Sequence, residues 1–146
     1  MATGIASQVS ARNQISGTIA EIHKGAAMSV VTVSAQGHTI TSAITNQAVQ
    51  ELGLRPHDAV IALVKATEGM IAKGDAGAMK ISARNKVSGR VTHVEKGQAM
   101  AAVTVDASNW KLTTAITRQA ADDLQLVPGD QVTAFFKSTE VLLQKT

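Results

Sequence analysis

Apolar and polar side chains alternate along most of this chain, and the same alternation is written twice. The first stretch carries Ile15, Gly17, Ile19 and Ile22, and its later counterpart carries Val87, Gly89, Val91 and Val94. Val31-Thr32-Val33 and Val103-Thr104-Val105 follow, then Ile40, Ser42 and Ile44 with Leu112, Thr114 and Ile116. Period-two patterns rich in β-branched residues predict strands. Glycines inside the first strand mark a bulge or a sharp bend. Turns are expected at Lys24-Gly25 and Lys96-Gly97, and at Gln36-Gly37 and Ser108-Asn109.

The period then changes. Ala48, Val49 and Leu52 share one face at helical spacing, as do Ala120, Ala121 and Leu124, with Thr45 and Thr117 placed as N-caps. Gly53 suits a helix end, while the second copy has Gln125 there. Proline turns at Arg55-Pro56-His57-Asp58 and Val127-Pro128-Gly129-Asp130 lead into fourth strands over 59–65 and 131–137. Short fifth strands are expected around Met70-Ile71 and Val141-Leu142-Leu143. Three strands, a helix and two strands is the order of an OB-type barrel. The fold expected is all-β: two tandem OB-like five-stranded antiparallel barrels, each with one short helix between strands 3 and 4.

Residues 9–74 align with 81–146 at a constant offset of 72, and 30 of the 66 pairs are identical. That is a tandem duplication, so the expected division is an extension at 1–8, a first module at 9–74, a linker at 75–80 and a second module at 81–146. A module of this size buries only about 60% of its unfolded surface. Its apolar residues are mostly small, with Trp110, Phe135 and Phe136 the only aromatics. The core is therefore thin, and docking of modules on each other or on other chains is the expected remedy. The duplication also acts as a filter, because a residue serving a duplicated site should recur in both copies.

Charge and cysteine content narrow the chemistry. The formal charge of +3 favours anionic ligands, but 14 basic residues among 11 acidic ones form no long block of the kind nucleic acid would call for. With no cysteine, disulfides and thiolate metal sites are excluded. The first eight residues have neither the basic nor the apolar region of a signal peptide, and no run approaches the roughly 18 apolar residues that span a bilayer. A cytoplasmic protein is expected.

Four basic pairs pass the duplication filter: Arg12/Arg84, Lys24/Lys96, Lys65/Lys137 and Lys73/Lys145. Arg12 stands in Ser10-Ala11-Arg12-Asn13, repeated as Ser82-Ala83-Arg84-Asn85. Lys65 precedes Ala66-Thr67-Glu68, and Lys137 precedes Ser138-Thr139-Glu140. Hydroxyls, Arg, Asn and Lys are rich in donors, which suits a tetrahedral oxyanion. The competing reading is that Arg12 and Asn13 pair with a carboxylate such as Glu68 and close a strand end. His23, His38, His57 and His93 all fail the filter, which disfavours a duplicated metal site. Asp58 and Asp130 recur, but in turns where Asp is ordinary; Met28 and Met100 recur as expected packing residues. No Ser/His/Asp set, phosphate-cradling loop or carboxylate pair stands out, so no enzyme is expected.

The Ser-Ala-Arg-Asn word, the glycine that follows it, Ala-Ile-Thr before a helix and the closing Lys-Ser-Thr-Glu-Val together resemble the molybdate-binding Mop domain. This domain, also called molbindin, belongs to the TOBE group of OB-like folds. The resemblance covers nearly the whole chain twice and implies a di-Mop protein. It implies molybdate or tungstate as the bound ligand, with no organic cofactor, held at interfaces between modules. It further implies a homotrimer whose strands contribute to neighbouring barrels, and a role in molybdenum storage or homeostasis. Carried over by motif, the oxyanion-binding residues are Ser10, Ala11, Arg12, Lys65 and Ala66, with Ser82, Ala83, Arg84, Lys137 and Ser138. Thr45 and Thr117 are added as donors at helix starts. In the first copy Ala66 replaces Ser138, which removes a hydroxyl, and Gly69 replaces Val141, which loosens the last strand. The rival readings are an OB-type nucleic-acid-binding module, disfavoured by the few aromatics, and a ligand-sensing regulatory module.

Overall fold

The computed structural model describes residues 8–74 and 80–146. The expected extension at 1–8, apart from Gln8, and the linker at 75–80, apart from Lys80, lie outside the described residues. The first repeat forms β1 (Asn13–Lys24), β2 (Met28–Ala35), β3 (His38–Thr45), α1 (Asn46–Leu52), β4 (Ala59–Val64), a 3-10 turn (Ala66–Glu68) and β5 (Met70–Lys73). The second forms β6 (Asn85–Lys96), β7 (Met100–Ala107), β8 (Trp110–Thr117), α2 (Arg118–Asp123), β9 (Gln131–Phe136), a 3-10 turn (Ser138–Glu140) and β10 (Leu142–Lys145).

The fold is mainly β, with two curled five-stranded antiparallel sheets ordered β10-β4-β1-β2-β3 and β5-β9-β6-β7-β8. Each fifth strand is therefore supplied by the other repeat. One compact unit joins residues up to Val64 with Lys137–Thr146, and the other runs from Lys65 to Phe136.

A single long first strand serves two neighbours in each sheet. β1 pairs β4 along Asn13–Thr18 and β2 along Thr18–Lys24, with a register shift between Ile19 and Glu21. The strand must bend where it changes partner, and Gly17 stands there. A Cβ on Gly17 would lie 2.5 Å from the Ser34 carbonyl, and one on Gly89 would lie 2.5 Å from the Asp106 carbonyl. Both glycines are required by close backbone approach.

The helix ends follow local chemistry. The Thr45 hydroxyl accepts from Ala48 N–H and the Thr117 hydroxyl from Ala120 N–H, each at 3.0 Å. Gly53 closes α1 in the left-handed region at φ 59°, and Gln125 adopts φ 52° at the matching place.

Burial follows the alternation. Val31, Val33, Ile40 and Val60 are buried in one unit. In the other, Val91, Val103, Val105, Leu126 and Val132 cluster, with Ile71 of the exchanged β5 packed against them. β4 and β9 are buried at five consecutive positions each. Ala11 covers one face of β4 by clustering with Ile61 and Leu63. Met28 and Met100 are exposed at 43% and 44%, not packed as expected, because each opens its strand at an outward-facing position of the alternation.

Candidate functional site

The motif residues gather at one end of the β1–β4 and β6–β9 ladders. Asn13 pairs with Val64, and its buried side chain donates Nδ2–H to the Val64 carbonyl at 3.2 Å. Arg12, one residue earlier, and Lys65, one residue later, therefore stand at that same ladder end. In the second set Asn85 pairs with Phe136, which places Arg84 and Lys137 alike. Lys65 and Lys137 are also the first residues past the two points where the chain passes from one unit to the other.

Within each word the roles divide. Ser10, Arg12, Ser82 and Arg84 are exposed, whereas Ala11 and Ala83 are buried. An alanine in this place can offer a ligand only its backbone. Gln14 donates to the carbonyls of Val9 and Ala11 at 3.1 and 3.0 Å, which folds the segment against the strand start. Ala66 and Ser138 each open a 3-10 turn and are half-buried.

The four recurring cation pairs separate by what they touch. Lys73 donates to the carbonyls of Leu124 and Gln125 at 3.0 and 3.2 Å and lies 3.4 Å from Asp130. Lys145 donates to those of Leu52 and Gly53 at 3.1 and 3.2 Å and lies 3.6 Å from Asp58. Both are fastened to helix ends, a role the spacing did not suggest because the strands that carry them are exchanged. Lys96 bonds Asp122 at 2.5 Å, and that bond holds the Asp122 carboxyl below its ordinary range. Its counterpart Lys24 has no such carboxylate, so this pair is not equivalent in the two copies. Among the described residues, the side chains of Arg12, Arg84, Lys65 and Lys137 have no hydrogen-bond or ion-pair partner, and neither do those of Glu68 and Glu140, whose backbone N–H groups donate to the Lys65 and Lys137 carbonyls at 3.0 Å.

Thr45 and Thr117 stand elsewhere. Thr45 pairs with Met28, beside the end of β1 at Lys24, and Thr117 pairs with Met100. Within each unit that is the opposite end of the first strand from the Arg-Lys set, and both hydroxyl oxygens already cap their helices.

The remaining candidates carry ordinary structure. Asp58 accepts from Arg55 N–H at 2.9 Å and Asp130 from Val127 N–H at 3.0 Å, as turn carboxylates do. The Val127 bond, with Lys73 nearby, keeps the Asp130 carboxyl below its ordinary range. His23, His57 and His93 are exposed and His38 is half-buried. Among the described residues no group of three or more His, Cys, Asp and Glu could hold a metal ion. No helix among them is long and apolar enough to cross a membrane.

The TOBE domain matches the chain twice, over residues 9–71 and 81–143. The chain belongs to the TOBE domain family. It carries two modules in the tandem Mop arrangement. MopA of Rhodobacter capsulatus, a molybdenum-pterin-binding protein, is 37% identical over 139 residues, covering 93% of this chain and 52% of the relative. Molybdenum-pterin-binding protein 3 of Clostridium pasteurianum is 39% identical over 66 residues, 44% of this chain and 97% of the relative. The chain thus spans about half the length of the longer curated relatives it matches. A solved structure of the cytoplasmic molybdate-binding protein ModG with molybdate bound has a TM-score of 0.91 to this chain at 29% identity. That match covers 96% of this chain and 100% of the other.

Proposed function

We propose that this chain binds molybdate, or tungstate, for molybdenum storage or homeostasis in the cytoplasm, and that it performs no catalysis. The binding groups are the backbone and side chains of Ser10-Ala11-Arg12 with Lys65 and Ala66, and of Ser82-Ala83-Arg84 with Lys137 and Ser138. The observation that carries this reading is the isolation of four recurring cations. The side chains of Arg12, Lys65, Arg84 and Lys137 stand at ladder ends with no partner among the described residues, while Lys73, Lys145 and Lys96 are committed elsewhere. The relatives named for molybdenum-pterin binding and the molybdate-bound ModG fold support the choice of oxyanion.

Selectivity follows from the donor set. Molybdate is an unprotonated dianion near neutral pH, so a site of donors alone serves it. Protonated phosphate would place a donor against donors. Sulfate has the same charge but is smaller, so cavity size must discriminate against it. Burying a dianion without full pairing is costly, and charge-assisted bonds offset that cost.

The sites are proposed to form between modules of an oligomer, as a homotrimer. Exposed apolar side chains recur at matching positions in the two repeats, as Val9 with Ile81, Met28 with Met100 and Met70 with Leu142. The recurrence of these exposed side chains in both copies supports the reading that they meet other modules on assembly.

A nucleic-acid-binding role is disfavoured by burial. Trp110, Phe135 and Phe136 are exposed by only 5%, 7% and 3%, which leaves no aromatic platform for base stacking. Native mass spectrometry after molybdate loading tests the proposal by counting chains and ions together. Trimers carrying several oxyanions are expected; a monomer that takes up none would overturn it.

A further inference from the structure

The two repeats differ at two positions that meet only because the fifth strands are exchanged. Ser42 in the first repeat corresponds to Thr114 in the second, and Gly69 corresponds to Val141. A Cβ on Gly69 would stand 2.6 Å from the Thr114 methyl carbon and 3.3 Å from Thr114 Cβ. Carbon atoms pack best at about 3.5–4.0 Å, so no side chain fits at Gly69 while Thr114 is opposite. In the other sheet, Val141 is buried at 2% and Ser42 at 0%, and the Ser42 hydroxyl donates to the Val141 carbonyl at 2.7 Å. Serine lacks the methyl that would collide there. The Thr114 hydroxyl turns instead to the Val103 carbonyl at 3.4 Å.

The two pairs are complementary in size, the added methyl facing glycine and the missing methyl facing valine. An unexchanged closure would mismatch both. Val141 would be driven against Thr114, and Gly69 beside Ser42 would leave empty the space that a buried isopropyl group fills. Overpacking and cavities are both destabilising. The lysine anchors do not discriminate, since Lys73 and Lys145 make the same bonds in either sheet. Six residues separate Leu63 from Met70, enough for a hairpin within the first repeat. Chain length therefore does not enforce the exchange.

We propose that the Gly69–Thr114 and Val141–Ser42 pairs form a matching code for the closing strands. The code directs the segment from Gly69 to the sheet of the second repeat and the segment from Val141 to the sheet of the first. It makes any strand exchange, within a chain or between copies, one of unlike repeats. The code does not depend on what the protein binds.

The test uses the full chain, which has no cysteine of its own. Leu142 pairs with Leu63, so Leu63→Cys with Leu142→Cys forms an intramolecular disulfide in the exchanged closure. Leu63→Cys with Met70→Cys forms one in the unexchanged closure. In the native background the first pair should oxidise readily and the second should not. Adding Gly69→Val with Val141→Gly reverses the matching, and the preferred disulfide should reverse with it. If the first pair still forms alone, with an unchanged melting temperature, the code is overturned. A second series does not need the reversed chain to fold. Gly69→Val alone should lower the melting temperature by about 5–10 °C, and adding Thr114→Ser should recover most of that loss. Absence of recovery also overturns the proposal.

Discussion

Lys145 donates to the carbonyl of Leu52 at 3.1 Å and so ties the last strand of the chain to the end of a helix formed 93 residues earlier. Lys73 does the same for Leu124 in the other unit. Unpaired carbonyls at a helix C-terminus attract a cation, and here the cation rides on a strand exchanged from the other repeat. Lys73→Met and Lys145→Met are each expected to cost about 0.5–1.5 kcal/mol in urea unfolding. The two losses should add, because the lysines serve separate units.

Gly17→Ala and Gly89→Ala should each be destabilising by about 1–3 kcal/mol, since the new methyl would press on a backbone carbonyl that cannot move without shifting β2 or β7. Thermal unfolding measures the loss. A neutral result at either position would show that the bend relaxes freely.

The two helix ends offer a paired comparison. Gln125 holds φ 52° where Gly53 holds φ 59°. Gln125→Gly is expected to stabilise by about 0.5 kcal/mol, and Gly53→Ala to destabilise by about 1 kcal/mol, because left-handed backbone strains any residue with a Cβ. Chemical denaturation of the two variants gives opposite signs if the backbone angles decide the outcome.

Acid should weaken the fold through two carboxylates. Asp122, bonded by Lys96, and Asp130, bonded by Val127 N–H, are both held below the ordinary carboxylate range when folded. A depressed folded pKa contributes stability in full above the unfolded value, and that contribution is lost as pH falls past it. Their contribution should therefore be complete above the ordinary carboxylate range and be lost as pH falls through it, lowering the unfolding midpoint in acid. Asp130→Asn should shrink the fall, which melting curves across pH would record.

On the proposed function, Arg84→Ala should lower molybdate affinity and leave the melting temperature unchanged, because Arg84 has no partner among the described residues. Unchanged stoichiometry and affinity in calorimetry would remove Arg84 from the site.

Much of the molecule was legible in the pattern of residues. Val31, Val33, Val103 and Val105 declared strands by alternation, Thr45 and Thr117 declared helix starts, and Gly17 declared a bend. Three features escaped. Lys73 and Lys145 recurred with no role to be read from their neighbours and are helix-end anchors. Met28 and Met100 looked like core and are surface. Gly69 looked like a looser strand and is a fit to the Thr114 methyl. Each depends on a neighbour distant in sequence, which local periodicity cannot reveal.

By itself, the sequence determined the elements, their order and their duplication, because strand period, caps and bends arise from interactions between residues close along the chain. Only the tertiary structure decided which fifth strand closes which sheet. Both sheets present the same backbone edge to an incoming strand, so hydrogen bonding is indifferent between the two strands. The choice falls to side-chain volume at Ser42, Gly69, Thr114 and Val141, four positions that come together only once the sheets have formed.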